Sequence, residues 1–205
     1  MSDRLTIYGT ARTRAMRAIW MAEELGRPYD IAAVDATAGG DLRAALLAAN
    51  PNGRVPTVDD GGFTVWESMA VNLYLAKKYG GALYPASLEG EARAWQWSFW
   101  AVTEIDQPII DWARHSFVLP PAERDRATAA AALLRLDRPL SALEAHLGGA
   151  PWIGEPDRFT VADLNAAATM YRALAMDLSA RPRVADWLQR CWDRPAAKRT
   201  RAMRE

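Results

Sequence analysis

The sequence is poor in the residues that build metal centres and disulfides. Its 205 residues include one cysteine, Cys191, and two histidines, His115 and His146. A single cysteine excludes an internal disulfide framework, a Cys-x-x-Cys redox pair and a cysteine-based zinc finger. Because histidine is also scarce, a metal site built from histidine and cysteine is not expected, and we expect no bound metal ion; a site built from carboxylates is the alternative that the composition leaves open.

The sequence also lacks an excess of charge of either sign and long apolar runs. Lysine plus arginine total 25, aspartate plus glutamate total 25, and 50% of the residues are hydrophobic. The balance argues against nucleic acid as a partner, and the composition is typical of a globular protein. No run approaches the roughly 18 apolar residues of a membrane span, and residues 1–5 do not resemble a signal peptide. We therefore expect a cytoplasmic protein that binds no membrane.

The first 80 residues alternate short apolar runs with helical patterns. The runs predict strands over residues 5–8, 28–34, 55–58 and 63–66, and the helical periodicity predicts helices over 14–25, 41–49 and 68–79. Asp60-Gly61-Gly62 is a hairpin signal between the last two strands. The predicted order is β-α-β-α-β-β-α, with a parallel crossover first and an antiparallel pair last.

The second part of the sequence shows helical patterns only. Residues 80–87 read as a linker, and helices are expected over 89–115, 122–147, 160–178 and 182–192, followed by a short helix from Pro195. A break is considered near Pro108 and a kink at Pro139. The predicted fold class is therefore α/β plus all-α, with an α/β domain over residues 1–81 and a helical domain over 88–205.

The segment Asn50-Pro51-Asn52-Gly53-Arg54-Val55-Pro56 carries the most specific pattern. Two prolines and a glycine impose a turn that ends at Val55. If the peptide before Pro56 is cis, the main chain of Val55 points away from the sheet, and an extended peptide-like ligand could pair with it. An ordinary connection between loop and strand is the alternative.

A second candidate site begins at Trp66-Glu67-Ser68, where a predicted strand meets a predicted helix. The free N–H groups of a helix start favour a carboxylate, and the Ser68 hydroxyl adds a donor. Glu67 could accept an ammonium group, so the pair suits the zwitterionic end of an amino acid. Plain helix capping is the alternative, because serine and glutamate are both common at helix starts.

Three segments together resemble the cytosolic glutathione transferases: NPNGRVP, WES, and the first helix TRAMRAIWMAEELG. The resemblance covers essentially the whole chain, including its division into two domains. The segment Phe159-Thr160-Val161-Ala162-Asp163 also resembles the family's signature at a helix start in the second domain. Physically it is a capping box that serves folding rather than ligand binding.

The resemblance implies a thioredoxin-like first domain that binds glutathione. Val55 would pair with the cysteinyl main chain of glutathione, in front of a cis proline. Glu67 and Ser68 would hold the γ-glutamyl end, and Asn52 or Arg54 would lie near the glycyl carboxylate.

The residue that activates the glutathione thiol is open between four candidates. A free cysteine thiol has a pKa of about 8.5, so a hydroxyl donor near the sulfur would favour the thiolate at neutral pH. Alignment of the first helix places Thr13 where related enzymes carry a serine, and we expect Thr13 to be the catalytic residue. Thr10, Tyr8 and the backbone N–H groups of the turn are the alternatives, with Thr10 also expected to contact glutathione.

The resemblance extends three further expectations to the second domain. Glu104 would reach the glutathione amine across a homodimer, and Trp112 and Phe117 would line a pocket for an apolar co-substrate. The implied function is the transfer of glutathione, as thiolate, to small apolar electrophiles or peroxides. A non-catalytic glutathione-binding module and a glutathione-dependent isomerase or reductase are the alternatives.

Overall fold

The computed structural model describes residues 4–34 and 40–205, and the chain divides into two compact units. One unit comprises Met1–Tyr84 together with Asp193–Glu205, and the other comprises Pro85–Trp192. The sequence-based boundary placed residues 193–205 with the helical domain instead. The difference arises because the last helix packs on the first helix of the chain, a partner that helical periodicity does not reveal. Residues 1–3, which belong to the N-terminal segment used for the signal-peptide expectation, lie outside the described residues.

The first unit contains a four-stranded sheet in the order β2-β1-β3-β4, with β1 parallel to β2 and antiparallel to β3, and β3 antiparallel to β4. The strands are β1 (Leu5–Tyr8), β2 (Tyr29–Ala32), β3 (Thr57–Asp60) and β4 (Phe63–Trp66). The helices are α1 (Met16–Leu25), α2 (Asp41–Ala49), α3 (Ser68–Tyr79) and α9 (Pro195–Ala202). The predicted element order and the mixed pairing are confirmed.

Three elements in this unit have boundaries that differ from the predicted ones. Strand β2 covers Tyr29–Ala32 and not residues 28–34, because the Val34 N–H turns back to the Ala32 carbonyl at 2.8 Å. Helix α1 begins at Met16, not at residue 14, because a turn precedes it. Strand β3 begins at Thr57, two residues later than predicted, since Pro56 has no N–H to give to a ladder. Helix α1 ends where predicted, at Gly26, which adopts a left-handed φ of 60°.

The second unit is helical. Its helices are α4 (Leu88–Trp100), α5 (Asp106–Ala113), α6 (Arg126–His146), α7 (Val161–Thr169) and α8 (Pro182–Trp192). Residues 101–105 and 114–118 form π-helical segments that continue α4 into α5 and extend α5. None of the helices in the described residues is long and apolar enough to cross a membrane.

Three sequence-based expectations for these helices do not match the structure. Helix α6 begins at Arg126 and not at residue 122, because Asp125 caps it by accepting the Ala127 N–H at 2.9 Å. The chain does not break near Pro108, which lies in α5 shortly after the π-helical segment of residues 101–105. The helix predicted over 160–178 ends at Thr169, whose hydroxyl donates back to the Asn165 carbonyl at 2.8 Å, and a short 3₁₀ segment follows. The capping box is present, with Thr160 and Asp163 satisfying each other's backbone N–H groups.

Candidate functional site

Three segments of the first unit meet at one edge of its sheet. Tyr8 at the end of β1 pairs with Thr57 at the start of β3, and Thr57 pairs with Trp66 at the end of β4. The turn at 9–13 leaves β1 there, the loop at 50–56 enters β3 there, and Glu67 follows β4 there. Residues far apart in sequence, from three of the predicted site segments, are thereby brought to a common edge.

The turn at 9–13 packs tightly against the loop at 50–56. Gly9 has a φ of 113°, and a Cβ built on it would lie 2.8 Å from the Ala15 Cβ, 3.0 Å from the Val55 Cβ and 3.2 Å from the Thr13 Oγ1. Glycine is required at this position both by the left-handed φ and by the space. Thr13 and Val55, two of the predicted site residues, therefore both lie close beside Gly9.

The two threonines of the turn differ in what their hydroxyls do. The Thr13 Oγ1 donates to the Thr10 carbonyl at 2.8 Å and accepts from the Ala15 N–H at 3.1 Å. The Thr10 carbonyl also accepts the Thr13 N–H at 2.9 Å. In contrast, the Thr10 hydroxyl has no hydrogen-bond partner among residues 4–34 and 40–205.

Asn50, which is fully buried, organises the loop at 50–56. Its amide nitrogen donates to the Arg54 carbonyl at 3.1 Å and to the Thr57 Oγ1 at 3.0 Å, and its Oδ1 accepts the Asn52 N–H at 3.0 Å. The Val55-Pro56 peptide is cis, as the resemblance implies. Within the described parts of the chain, the main-chain N–H and C=O of Val55 have no hydrogen-bond partner, so both are available to a ligand.

The polar side chains around this loop differ in whether they form hydrogen bonds within the protein. The Asn52 amide donates to the Asn50 Oδ1 at 3.2 Å, so this side chain supports the turn. The Arg43 Nη1 donates to the Gly53 carbonyl at 2.8 Å. Arg54 is exposed and forms no ion pair or hydrogen bond through its guanidinium with any described residue. Of the two residues expected near a glycyl carboxylate, Arg54 therefore has the free charge.

Helix α3 begins at this edge with an N-terminus that no described side chain caps. Glu67, the residue before it, has a φ of 69°, the one positive φ recorded for a non-glycine residue in the described chain. Such backbone strain in a non-glycine residue is typical of functional sites. Because Glu67 caps nothing with its side chain, the capping alternative explains this residue poorly, and the first N–H groups of α3 remain open to an anion.

The structure shows which of the three arginines near the start of the first helix, Arg12, Arg14 and Arg17, reaches the start of α3. Arg17 on α1 is 4% exposed, and its Nη1 donates to the Oγ of Ser68, itself 6% exposed, at 3.1 Å. The Arg17 carbonyl accepts the Asn72 amide at 3.1 Å, which ties α1 to α3. The sequence alone does not indicate which of these three arginines faces α3. Asn50 and Arg43 were likewise not predicted as supports of the loop.

The remaining predicted site residues belong to the second unit. Glu104 is exposed in the π-helical segment after α4. Trp112 is 8% exposed and packs with Ala113, Ala132 and Met176 in the interior of this unit. Phe117 is 44% exposed, and its ring meets the Trp112 ring edge-on at 5.5 Å between centroids. Phe117 is thus the aromatic group of the pair that a ligand can reach.

These features define a class of protein: a thioredoxin-like domain, whose sheet edge suits an extended anionic peptide, joined to a helical domain. No group of three or more potential ligands is arranged to hold a metal ion in the described chain. The edge provides an unpaired main chain at Val55, the open N-terminus of α3, and the guanidinium groups of Arg17 and Arg54. Such donors hold carboxylates and an extended backbone.

Comparisons with known proteins name the family. The protein-family model described as glutathione S-transferase, N-terminal domain, matches residues 3–77. The family model described as glutathione S-transferase, C-terminal domain, matches residues 106–195. The chain is 30% identical to the Escherichia coli glutathione S-transferase GstB, over 95% of this chain and 96% of that protein. It is 31% identical to mouse glutathione S-transferase theta-1, over 91% of this chain and 81% of that protein.

A solved structure with glutathione bound is similar to the whole chain. The theta class glutathione S-transferase of Xanthomonas axonopodis pv. citri superposes with a TM-score of 0.87 at 33% identity, covering 98% of this chain and 97% of that one. The chain belongs to the cytosolic glutathione S-transferase family, and the family and fold predicted from the motifs are confirmed. Its activity is that of a glutathione transferase.

Proposed function

We propose that glutathione lies along the sheet edge formed by the turn at 9–13, the loop at 50–56 and the start of α3. The observation that carries the proposal is the Tyr8, Thr57 and Trp66 row, which brings all three segments to one edge. In this arrangement Val55 pairs with the cysteinyl main chain through its unpaired N–H and C=O.

The charged groups at the two ends of glutathione meet groups of complementary charge. The γ-glutamyl carboxylate accepts hydrogen bonds from the first N–H groups of α3 and from Ser68, with the Arg17 guanidinium adding positive charge behind Ser68. The exposed Glu67 carboxylate accepts the ammonium group. Arg54 binds the glycyl carboxylate, while Asn52 keeps the loop in shape.

The thiol is activated by the hydroxyl of Thr13. On binding, this hydroxyl turns its hydrogen from the Thr10 carbonyl to the sulfur, a rotation about one C–O bond. The Thr10 carbonyl keeps the Thr13 N–H at 2.9 Å, so the rotation leaves no unsatisfied acceptor. Thr10, whose hydroxyl has no partner among the described residues, contacts glutathione and is the second candidate donor.

The reaction follows from a thiolate held beside an apolar substrate. The thiol proton passes to solvent, the sulfur forms a bond to the electrophilic carbon, and the leaving group departs with the bonding electron pair. Orientation and the raised thiolate fraction supply the rate. Small apolar electrophiles or peroxides are the proposed co-substrate class, and the exposed ring of Phe117 is a better wall for them than the packed Trp112.

Calorimetric titration with glutathione tests the site directly. We expect the wild-type chain to bind glutathione and the Glu67→Ala/Ser68→Ala double variant to lose most of that binding. Losing a charge-assisted hydrogen bond costs about 1.5–3 kcal/mol, which is tenfold or more in the dissociation constant. The variant Arg138→Met, which changes an exposed arginine of α6, serves as the control. Unchanged binding in the double variant would move the site elsewhere.

A homodimer in the cytoplasm is also proposed. Leu88, Trp95 and Phe99 are large exposed hydrophobic residues at positions that share one face of α4, and a second copy of the chain would cover them. In such a dimer Glu104 would approach the glutathione amine of the other copy. Sedimentation equilibrium of the wild type and of Phe99→Glu tests this, since a buried charge would dissociate the dimer.

A further inference from the structure

The C-terminal helix of the chain is anchored on α1 by paired charges. The Arg194 guanidinium meets the Glu24 carboxylate through two hydrogen bonds of 2.7 Å, and the Glu24 side chain is 6% exposed. One turn further, the Arg199 Nε donates to the Glu23 Oε2 at 2.5 Å. Two-point contacts between guanidinium and carboxylate fix orientation as well as distance.

The Glu23 carboxylate shows how closely this contact is built. Burial alone raises the pKa of Glu23, but hydrogen bonds from the Tyr29 hydroxyl and Arg199 outweigh burial and lower it. The Tyr29 hydroxyl donates to the Glu23 Oε1 at 2.7 Å, so both carboxylate oxygens are occupied. The buried face of α9, with Ala196, Ala197 and Thr200, completes the packing of the helix in this unit. Helix α9 is therefore held in register along α1.

This register brings a residue beyond α9 to the turn at 9–13. The Arg204 Nη1 donates to the Ala11 carbonyl at 2.7 Å, across 193 positions of sequence. The carbonyl before it in the chain, that of Thr10, is held by Thr13 from within the turn. Two consecutive carbonyls of one short turn are thus fixed from two different parts of the chain.

We propose that Arg204 is a positioning residue for glutathione activation, acting on the turn that carries Thr10 and Thr13. Holding the Ala11 carbonyl fixes the plane of the peptide between Ala11 and Arg12, because the peptide bond is rigid. That plane sets where the following residues of the turn, including the Thr13 hydroxyl, stand relative to the sulfur. The guanidinium also adds positive potential on the side of the turn, which favours the thiolate. The inference rests on the glutathione site proposed above.

The test compares Arg204→Met and Arg204→Lys with the wild type and with Arg201→Met. Arg201 pairs with Glu205 near the same end of α9 and is exposed, so its removal controls for a lost arginine at this place. The primary readout is the ultraviolet absorbance of the thiolate of bound glutathione, followed as a function of pH. Calorimetric binding of glutathione and the thermal midpoint of unfolding are recorded for each variant.

We expect Arg204→Met to lower the thiolate fraction of bound glutathione roughly threefold near neutral pH, which corresponds to about half a pKa unit. Arg204→Lys, which keeps the charge and a donor, should recover part of the loss, and Arg201→Met should match the wild type. Arg199→Met, which removes one anchor of α9, should shift the titration in the same direction as Arg204→Met.

A thiolate titration of Arg204→Met that coincides with the wild-type curve would overturn the inference, whether or not the unfolding midpoint of this variant falls. That result leaves the proposed function intact, because the wild type still binds glutathione. A wild type that binds no glutathione at millimolar concentration would instead refute the proposed site itself.

Discussion

Arg17 and Ser68 lie 51 positions apart, and the Arg17 Nη1 donates to the Ser68 Oγ at 3.1 Å with both side chains buried. The contact joins the first helix of the unit to the start of the helix proposed to receive the γ-glutamyl carboxylate. A buried guanidinium needs acceptors, and an anion at Ser68 would supply further compensation for its charge. In the proposed site, this one hydrogen bond therefore both joins α1 to α3 and lies next to the bound carboxylate.

We expect Arg17→Met to weaken glutathione binding and to lower stability. The Ser68 hydroxyl loses its donor and the start of α3 loses a nearby positive charge, so the free energy of unfolding should fall by about 1–3 kcal/mol. Calorimetry and urea unfolding measure the two effects. Arg17→Lys should be intermediate, since lysine keeps the charge but not the planar fork. An affinity equal to that of wild type in Arg17→Met would show that Ser68 acts without Arg17.

The two threonines of the turn are separable by valine substitution. Thr13→Val should lower kcat/KM for glutathione by about tenfold, the scale of one lost hydrogen bond to a charged group. It should also lower stability, because the hydroxyl bonds to Thr10 and Ala15 are lost. Thr13→Ser should preserve both, and Thr10→Val should leave stability unchanged.

The measurement for these variants is the pH dependence of the initial rate with 1-chloro-2,4-dinitrobenzene, together with urea unfolding. If Thr10→Val suppresses the rate while Thr13→Val changes only stability, the thiol donor is Thr10. The comparison thus assigns the donor whichever threonine it is.

Replacing Gly9 with alanine should cost both stability and binding. The φ of 113° strains any L side chain, and the new Cβ would lie 2.8 Å from the Ala15 Cβ and 3.0 Å from the Val55 Cβ. Strain of this kind costs about 1–3 kcal/mol, and the crowding must displace the turn or the loop. We therefore expect weaker glutathione binding by calorimetry as well as a lower unfolding midpoint.

Gly62 provides the matched control, because its φ is 97° but a Cβ there meets nothing within 4 Å. Gly62→Ala should lose stability through strain while binding glutathione as the wild type does. Equal glutathione affinities of Gly9→Ala and Gly62→Ala would argue against the tight packing of turn and loop as a condition for binding.

Asp60 at the end of β3 predicts a specific pH dependence of stability. Burial alone raises the pKa of Asp60, but hydrogen bonds from Lys78, Tyr74 and Tyr79 outweigh it and hold the pKa below its ordinary value. Because the pKa is lowered in the folded state, the charged Asp60 stabilises the fold fully above its unfolded pKa of about 3.9. This stabilisation is lost as the pH falls through the pKa of the folded state.

Asp60→Asn should therefore be less stable than the wild type at neutral pH, by about 1–3 kcal/mol. The difference should begin to shrink as the pH falls below about 4, where the unfolded wild type takes up a proton at Asp60, and it should disappear once the pH is below the lower pKa of the folded state. Urea unfolding across this range measures it, with Asp157→Asn, a change at an exposed ion pair, as the control. A difference that stays constant with pH would contradict the assignment to the Asp60 charge.

Local patterns determined much of the fold and part of the site. The order of strands and helices, the Gly26 end of α1 and the capping box at Thr160 depend on residues within a few positions of each other. Their formation is therefore visible in the sequence. The motif containing Val55 and Pro56, and the junction of β4 and α3 at Glu67 and Ser68, were also recognised because each is a local pattern of neighbouring residues.

The tertiary structure alone decided which distant groups support those motifs. Arg17 reaches Ser68 across 51 positions, and Arg204 reaches Ala11 across 193. No periodic pattern in the sequence links residues at such separations. The burial of Trp112 and the placement of α9 with the first unit depend likewise on packing. Sequence determines elements through local backbone preference and apolar period, whereas the support of a site depends on how those elements pack.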